Sequence, residues 1–328
     1  MQAMVSHAPG VPLLLEERPD PLPGPGQIRV RVEACAVCRT DLHVIDGELP
    51  DIRYPIVPGH EIVGIVDKLG AGVATNTIGQ RMGIAWLGHA CGQCEYCRSG
   101  RENLCVAPAF TGYNRDGGFA THAIAEAAFV IPMQMFAEPA AAAPLLCAGL
   151  IGWRALLAAG DAKTIGLFGF GAAAHIVAQV CRWQGRQFLA FTRAQDRAGQ
   201  EFALSLGALW AGSSLDASPV ELDAAIIFAP AGELVPAALK AVKKGATVVC
   251  GGIHMSDIPS FPYRLLWGER RLVSVANLTR NDAAGFFPVV HQAHIHTSVT
   301  RYSLHAANDA VRDLREGRIQ GAAVLVPQ

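Results

Sequence analysis

From about residue 160 onward, short apolar runs alternate with helical stretches, and this alternation leaves the chain few architectures. TIGLFGF (164–170) reads as a buried strand, GAAAHIVAQVCRWQG (171–185) as a helix and RQFLAFT (186–192) as a strand. A helix near 195–206 follows, then a strand at DAAIIFAP (223–230) and a helix at ELVPAALKAVKK (233–244). Strands at ATVVCGG (246–252) and RLVSVAN (271–277) complete the series. Parallel strands need long crossover connections, so this order predicts a doubly wound parallel sheet, an α/β fold. The run from Pro144 to Ala159, rich in Ala and Leu, reads as a helix leading into that half.

The first 130 or so residues have another character. QIRVRVEACAV (27–37) alternates apolar and polar residues as a half-buried strand does. IVPGHEIVGIVDKLG (56–70) is strand-like but broken by Gly59, and PLPGPG (21–26) is a turn signal. Many short strands between Gly and Pro predict a barrel or a sandwich. The tail reads as a helix at HAANDAVRDLREG (305–317) and an apolar strand, GAAVLV (321–326), that needs a partner.

The chain has 328 residues, enough for two domains. At 51% apolar and 17% charged residues it is globular, and a formal net charge of −1 provides no field for nucleic acid or an acidic membrane surface. The longest apolar run, Pro139 to Trp153, is shorter than the roughly 20 residues that span a bilayer. With no signal-peptide pattern at the N-terminus, a soluble, cytoplasmic protein is expected. In a reducing compartment, clustered cysteines point to metal or catalysis and not to disulfides.

Four of the nine cysteines, Cys91, Cys94, Cys97 and Cys105, follow the spacing C-x2-C-x2-C-x7-C. Two intervening residues let the chain curl two thiolates round one ion, and four thiolates leave no open position, the mark of a structural zinc site. The ferredoxin spacings differ from this one. A zinc ribbon for nucleic acid would need a basic footprint, but Glu95 and Glu102 offset the local arginines.

IGLFGFGAAAHIVAQV contains Gly169-x-Gly171-x-x-Ala174 between a strand and a helix. The first Gly allows the tight turn, the second lets the backbone approach a pyrophosphate, and Ala174 is small where helix and strand pack. About 20 residues on, where an acidic residue would bind a ribose 2′-hydroxyl, this chain has Thr192 and Arg193. No carboxylate there repels a 2′-phosphate; Thr192 can donate a hydrogen bond, and Arg193, with Arg197, can supply charge. NADP(H) is therefore expected in preference to NAD(H).

Three further segments are AVCRTDLH (36–43), PGHE (58–61) and LLCAG (145–149). Two thiolates and an imidazole around an open position form a catalytic zinc geometry. In this order, with the four-cysteine loop and a nucleotide-binding half, the whole chain resembles the zinc-dependent medium-chain alcohol dehydrogenases. The resemblance implies a barrel-like (GroES-like) catalytic domain over 1–148 and 279–328 and a Rossmann domain over 149–278. It also implies two zinc ions per subunit, a small alcohol or aldehyde as substrate, and a homodimer or homotetramer through the cofactor-domain sheet, with RLVSVAN as edge strand. Cys38, His60 and Cys147 would bind the catalytic zinc and Cys91, Cys94, Cys97 and Cys105 the structural one. Glu61 would stand beside the metal, Asp41 would orient His60, Thr40 would bind the substrate oxygen and His43 would pass its proton outward. Arg39 would contact the cofactor pyrophosphate, and Trp86 would narrow the substrate pocket in favour of primary alcohols.

Cys35, Cys181 and Cys250 match no ligand position and are expected to pack, and His291, His294 and His296 to mark a solvated helix end. An NAD-linked alcohol or polyol dehydrogenase and a non-catalytic nucleotide-binding zinc protein are the competing readings. Zinc-free enoyl and quinone reductases do not need Cys38, His60 and Cys147 together.

Overall fold

Strand Gln27–Val37 organises the β-rich half. Ile28, Val30 and Val32 are buried, Gln27, Arg29 and Arg31 face outward, and Ala34 to Val37 are all buried. Glu61–Leu69 runs antiparallel along it, with Ala36 opposite Glu61. Its other edge takes two partners in turn: His122–Glu126 beside residues 27–31, and Ala322–Val326 beside residues 35–37. The tail strand thus finds the partner its apolar sequence requires. The remaining strands of this seven-stranded sheet are Val299–Ser303, Arg81–Ile84 and Ile131–Pro132.

The computed structural model describes residues 1–74 and 77–327. It separates the chain into two compact units, one of Met1–Cys147, Asn277–Ala283 and Thr297–Gln328, the other of Ala148–Ala276 and Ala284–His296. Ile28, Val57, Ile62, Phe119 and Leu325 lie in the core of the first. Gly59 packs on that core with φ +97°, and a Cβ there would stand 2.4 Å from the Phe119 ring. Any L-side chain at 59 would meet both backbone strain and collision.

The second unit is a six-stranded parallel sheet in the order Trp210–Ser213, Gln187–Thr192, Thr164–Phe168, Leu222–Ile227, Val242–Cys250, Arg271–Ser274. Strand order reverses on either side of Thr164–Phe168, which puts the topological switch point at the glycine loop after that strand. Phe168 and Phe191 stack at 4.2 Å in its core.

Several elements depart from expectation. The helix over 144–159 is split: a 3-10 turn at Ala143–Leu146, then Cys147 outside the helical region (φ −128°, ψ −66°), then helix Ala148–Ala158. The helix expected to reach Lys244 ends at Ala241, because Val242 already pairs with Leu222 and Lys243 and Lys244 belong to the strand. Helix Arg280–Gln292 was not foreseen, since Gly285 and Pro288 interrupt its pattern. It also moves the domain boundary. Residues 284–296 belong to the second unit and not to the first, where buried Phe286 lies 6.0 Å from Trp153. Strands Trp210–Ser213 and Val299–Ser303 were missed too; both lie at sheet edges, the first half-buried and the second largely open to solvent.

Phe286→Ala should cost about 3–5 kcal/mol of stability, the usual penalty for emptying a buried aromatic site. Urea denaturation of the two proteins side by side measures it.

Candidate metal centres and cofactor loop

The antiparallel register brings the end of Gln27–Val37 level with the start of Glu61–Leu69, so Cys38 and His60 meet at one end of the sheet. Cys38 Sγ and His60 Nε2 are 3.1 Å apart. Cys38 is also the N-cap of helix Arg39–Asp46, and its sulfur accepts from the Thr40 N–H at 3.3 Å. A thiolate is favoured at the positive end of a helix. Cys147, released from helical geometry, completes a group with Cys38, His60 and Glu61 whose ligand atoms lie within 4.8 Å of one another.

Asp41 holds this group in place. It is fully buried. One carboxylate oxygen accepts from the Cys38 backbone N–H at 2.8 Å. The other accepts from the Gly59 N–H at 3.0 Å and faces His60 Nδ1 at 3.1 Å. With its Nδ1 proton shared with Asp41, His60 presents Nε2 as a donor atom, the arrangement that orients a metal-binding imidazole.

The donor set suits a divalent, sulfur-seeking cation. Glu61 Oε1 is buried and has no hydrogen-bond partner. Left to themselves, these side chains resist deprotonation: the Cys38 thiol is held well above its usual range by its hydrogen bond with Cys147 and by burial. Burial and the adjoining Cys38 likewise raise the Glu61 carboxyl. A bound cation reverses that preference by stabilising the deprotonated donors.

Thr40 and His43 are buried on the same helix, and His43 Nδ1 is bonded to the Glu48 carboxylate. Arg39 is exposed at the first helical residue. Trp86 is buried and meets the His60 ring edge-on, with centroids 4.9 Å apart.

The four-cysteine loop gathers Cys91, Cys94, Cys97 and Cys105 into a second group, again within 4.8 Å. The Cys91 and Cys97 sulfurs are 3.9 Å apart, close to the edge of about 3.8 Å that 2.3 Å metal–sulfur bonds give a tetrahedron. Backbone amides turn toward the sulfurs: Cys91 N–H to Cys105 at 3.2 Å, Cys94 N–H to Cys91 at 3.4 Å and Cys97 N–H to Cys94 at 3.5 Å. The N–H groups of Cys97 and Val106 bring the Cys94 thiol down to about 6.

Glu102 of this loop is buried and grips Arg280, 178 residues away. One oxygen accepts from the Arg280 backbone N–H at 2.8 Å, and the other from its guanidinium at 2.6 Å. Burial alone would raise this carboxyl, but the contacts with Arg280 outweigh it and hold the group below its ordinary 4.5. Nothing in the local sequence signals this pair. The same holds for Glu48 beside His43.

In the second unit, Gly169 has φ +89°, and a Cβ there would stand 2.8 Å from the Ala229 backbone nitrogen. At Gly171, the N-cap of helix Ala172–Trp183, a Cβ would meet nothing within 4 Å. Chain packing therefore demands the first glycine and not the second, whose bareness leaves the helix N-terminus open to a close ligand such as a pyrophosphate. Ala174 is fully buried.

Thr192 requires a correction. It is buried; its hydroxyl donates to the Arg193 carbonyl at 3.0 Å, with the Gly212 carbonyl at 3.4 Å, and accepts from Gln200 at 3.0 Å. The hydroxyl is spent inside the unit and is no donor to a cofactor. Arg193 and Arg197 are exposed. His291, His294 and His296 are exposed as well, and no metal-ligating group among the described residues includes them. Cys35 and Cys181 are fully buried and Cys250 half-buried.

Residues 24–135 match the family model of the alcohol dehydrogenase GroES-like domain. The probable alcohol dehydrogenase AdhA of Mycobacterium tuberculosis (strain CDC 1551 / Oshkosh) is 45% identical over 314 residues, 93% of this chain and 90% of that protein. An alcohol dehydrogenase of Geobacillus stearothermophilus is 32% identical over 311 residues, 92% of this chain and 91% of its own. Among solved structures, acetophenone reductase from Geotrichum candidum NBRC 4597 in complex with NAD superposes with a TM-score of 0.90 at 27% identity. That match covers 99% of this chain and 96% of the reductase.

Two outcomes follow from the geometry. Asp41→Asn should keep the fold but lose about ten-fold or more in metal affinity at the Cys38 group, as removal of such an orienting carboxylate usually does; competition with a chromogenic chelator reads it. Because the Glu102 carboxyl lies below 4.5 when folded, its contribution is complete above that pH and lost as pH falls through the folded value. Glu102→Gln should therefore flatten the acid limb of a stability–pH curve.

Proposed function

The chain belongs to the zinc-dependent alcohol dehydrogenase family, and we propose that it interconverts primary alcohols and aldehydes with NADP(H) as the preferred cofactor. The observation that carries this reading is the Cys38–His60–Cys147 group, with His60 buried and Asp41 behind it. Cys38, His60 and Cys147 would hold a catalytic zinc, with Glu61 at its side, and the four-cysteine loop a structural one. Bound there, zinc supplies Lewis acidity toward the substrate oxygen, and the nicotinamide gives or takes the hydride.

The chain's own residues do the rest. Asp41 fixes the His60 tautomer. Thr40 hydrogen-bonds the substrate oxygen, and His43 moves its proton outward toward Glu48, whose carboxylate stands on the solvent side. Gly169, Gly171 and Ala174 shape the loop for the pyrophosphate, and Arg39 contributes charge to it. Arg193 and Arg197 favour a 2′-phosphate, and the end of strand Gln187–Thr192 has a threonine where a carboxylate would repel one. The committed Thr192 hydroxyl favours the rival reading, NAD(H) use. Trp86 narrows the pocket. The exposed edge of Arg271–Ser274 suits a homo-oligomeric contact. Thiolates at metal-ligand positions survive best in a reducing compartment, which supports a cytoplasmic location.

Initial rates with a panel of aldehydes, NADPH against NADH, test the reading. Aldehyde-dependent turnover with the higher kcat/KM for NADPH is expected. Arg193→Ala should lower kcat/KM for NADPH by roughly ten-fold, the worth of one charge-assisted contact, and leave NADH nearly unaffected. Higher kcat/KM with NADH would reverse the cofactor assignment, and no turnover with any carbonyl would favour a nucleotide-binding zinc protein without catalysis.

A further inference from the structure

Trp86 lies in the bend between strands Arg81–Ile84 and Leu87–His89, and neighbouring rings pack on it. Its ring stacks on Phe110 at 5.3 Å and 20° and lies 5.5 Å from the Tyr113 ring. Tyr113 in turn stands 6.1 Å from Phe110. At its other end, the Tyr113 hydroxyl donates to the carbonyl of Pro50. Pro50 is followed by Asp51, whose φ of +60° is in the left-handed region that non-glycine residues rarely adopt. This turn belongs to the segment 47–55, whose Leu49, Ile52 and Tyr54 pack against Val44, Ile56 and Trp86. Tyr113 therefore has its ring on the indole and its hydroxyl on the loop. The hydrogen bond ties that turn to Tyr113, whose ring packs beside the indole.

We propose that Tyr113 is a positioning residue that clamps the 47–55 loop onto Trp86, fixing the apolar wall beside His60 and thereby the preference for aldehydes over ketones of the same ring size. A wall of rings held at fixed spacing admits a flat or unbranched group and rejects a branch at the reacting carbon. Freed from the clamp, the loop and indole give way and the branch is tolerated. The inference rests on the dehydrogenase reading above and adds a residue to it that no ligand motif contains.

Tyr113→Phe tests it, because this substitution keeps every ring contact and removes only the hydrogen bond to Pro50. Amide hydrogen exchange across residues 47–55 is expected to quicken by about ten-fold or more, with strand Gln27–Val37 unchanged. The ratio of kcat/KM for benzaldehyde over acetophenone is expected to fall by about five-fold or more, chiefly through the ketone's KM. An unchanged ratio overturns the proposal, whether or not exchange has quickened. A wild-type chain inactive on every carbonyl would sink the dehydrogenase reading and not the clamp. Exchange is read without substrate, and unchanged exchange would then overturn the clamp as well.

Discussion

The two oxygens of one buried carboxylate, Asp41, join the chain segments on which the metal group depends. One oxygen is tied to the Cys38 backbone; the other is shared by the Gly59 backbone and the His60 imidazole. A carboxylate without water must find donors within the protein, and here the donors are the residues that have to be kept in place. Sheet register brings the segments to the same end, since Ala36 faces Glu61. Asp41 then sets which way the ring at 60 turns. Gly59 serves the same end: with a side chain there, the Phe119 ring would deny the turn its path.

The four-cysteine loop solves a different problem. Its sulfurs need no catalytic opening, and neighbouring backbone amides support their charge. Glu102 extends this small structure to Arg280, so a loop with little core of its own is tied to the segment at the start of helix Arg280–Gln292. In the second unit the parallel sheet plays the organising part, and the glycine loop follows its central strand. There Gly169 is required by the chain and Gly171 by nothing in the chain, a contrast that separates folding from binding within one short motif.

Much of this is legible in the sequence. Cysteine spacing depends on chain geometry over a few residues, so the four-cysteine group could be read directly. The parallel sheet followed from the alternation of strands and helices, and the tail strand from its unmatched apolar run. Cys147 was legible as a ligand only through family resemblance, because what makes it available is a local departure from helical geometry. Helix Arg280–Gln292 was hidden by Gly285 and Pro288. Its place is set by Phe286 packing near Trp153, a contact across more than a hundred residues.

The sequence by itself determined which atoms could bind metal and nucleotide, since thiols, imidazoles and bare glycines are chemical facts of single residues at short spacing. It also determined a β-rich half and a parallel α/β half, through apolar periods of two residues and of about 3.6. Only the tertiary structure decided which polar groups remain available. Thr192 shows this most plainly. Its hydroxyl stands at the right place in the sequence for a cofactor contact, yet Arg193, Gly212 and Gln200 engage it first. Glu102 with Arg280, Glu48 with His43, and Tyr113 with Pro50 are decisions of the same kind. Hydrogen bonds form between neighbours in space, and distance along the chain does not name those neighbours.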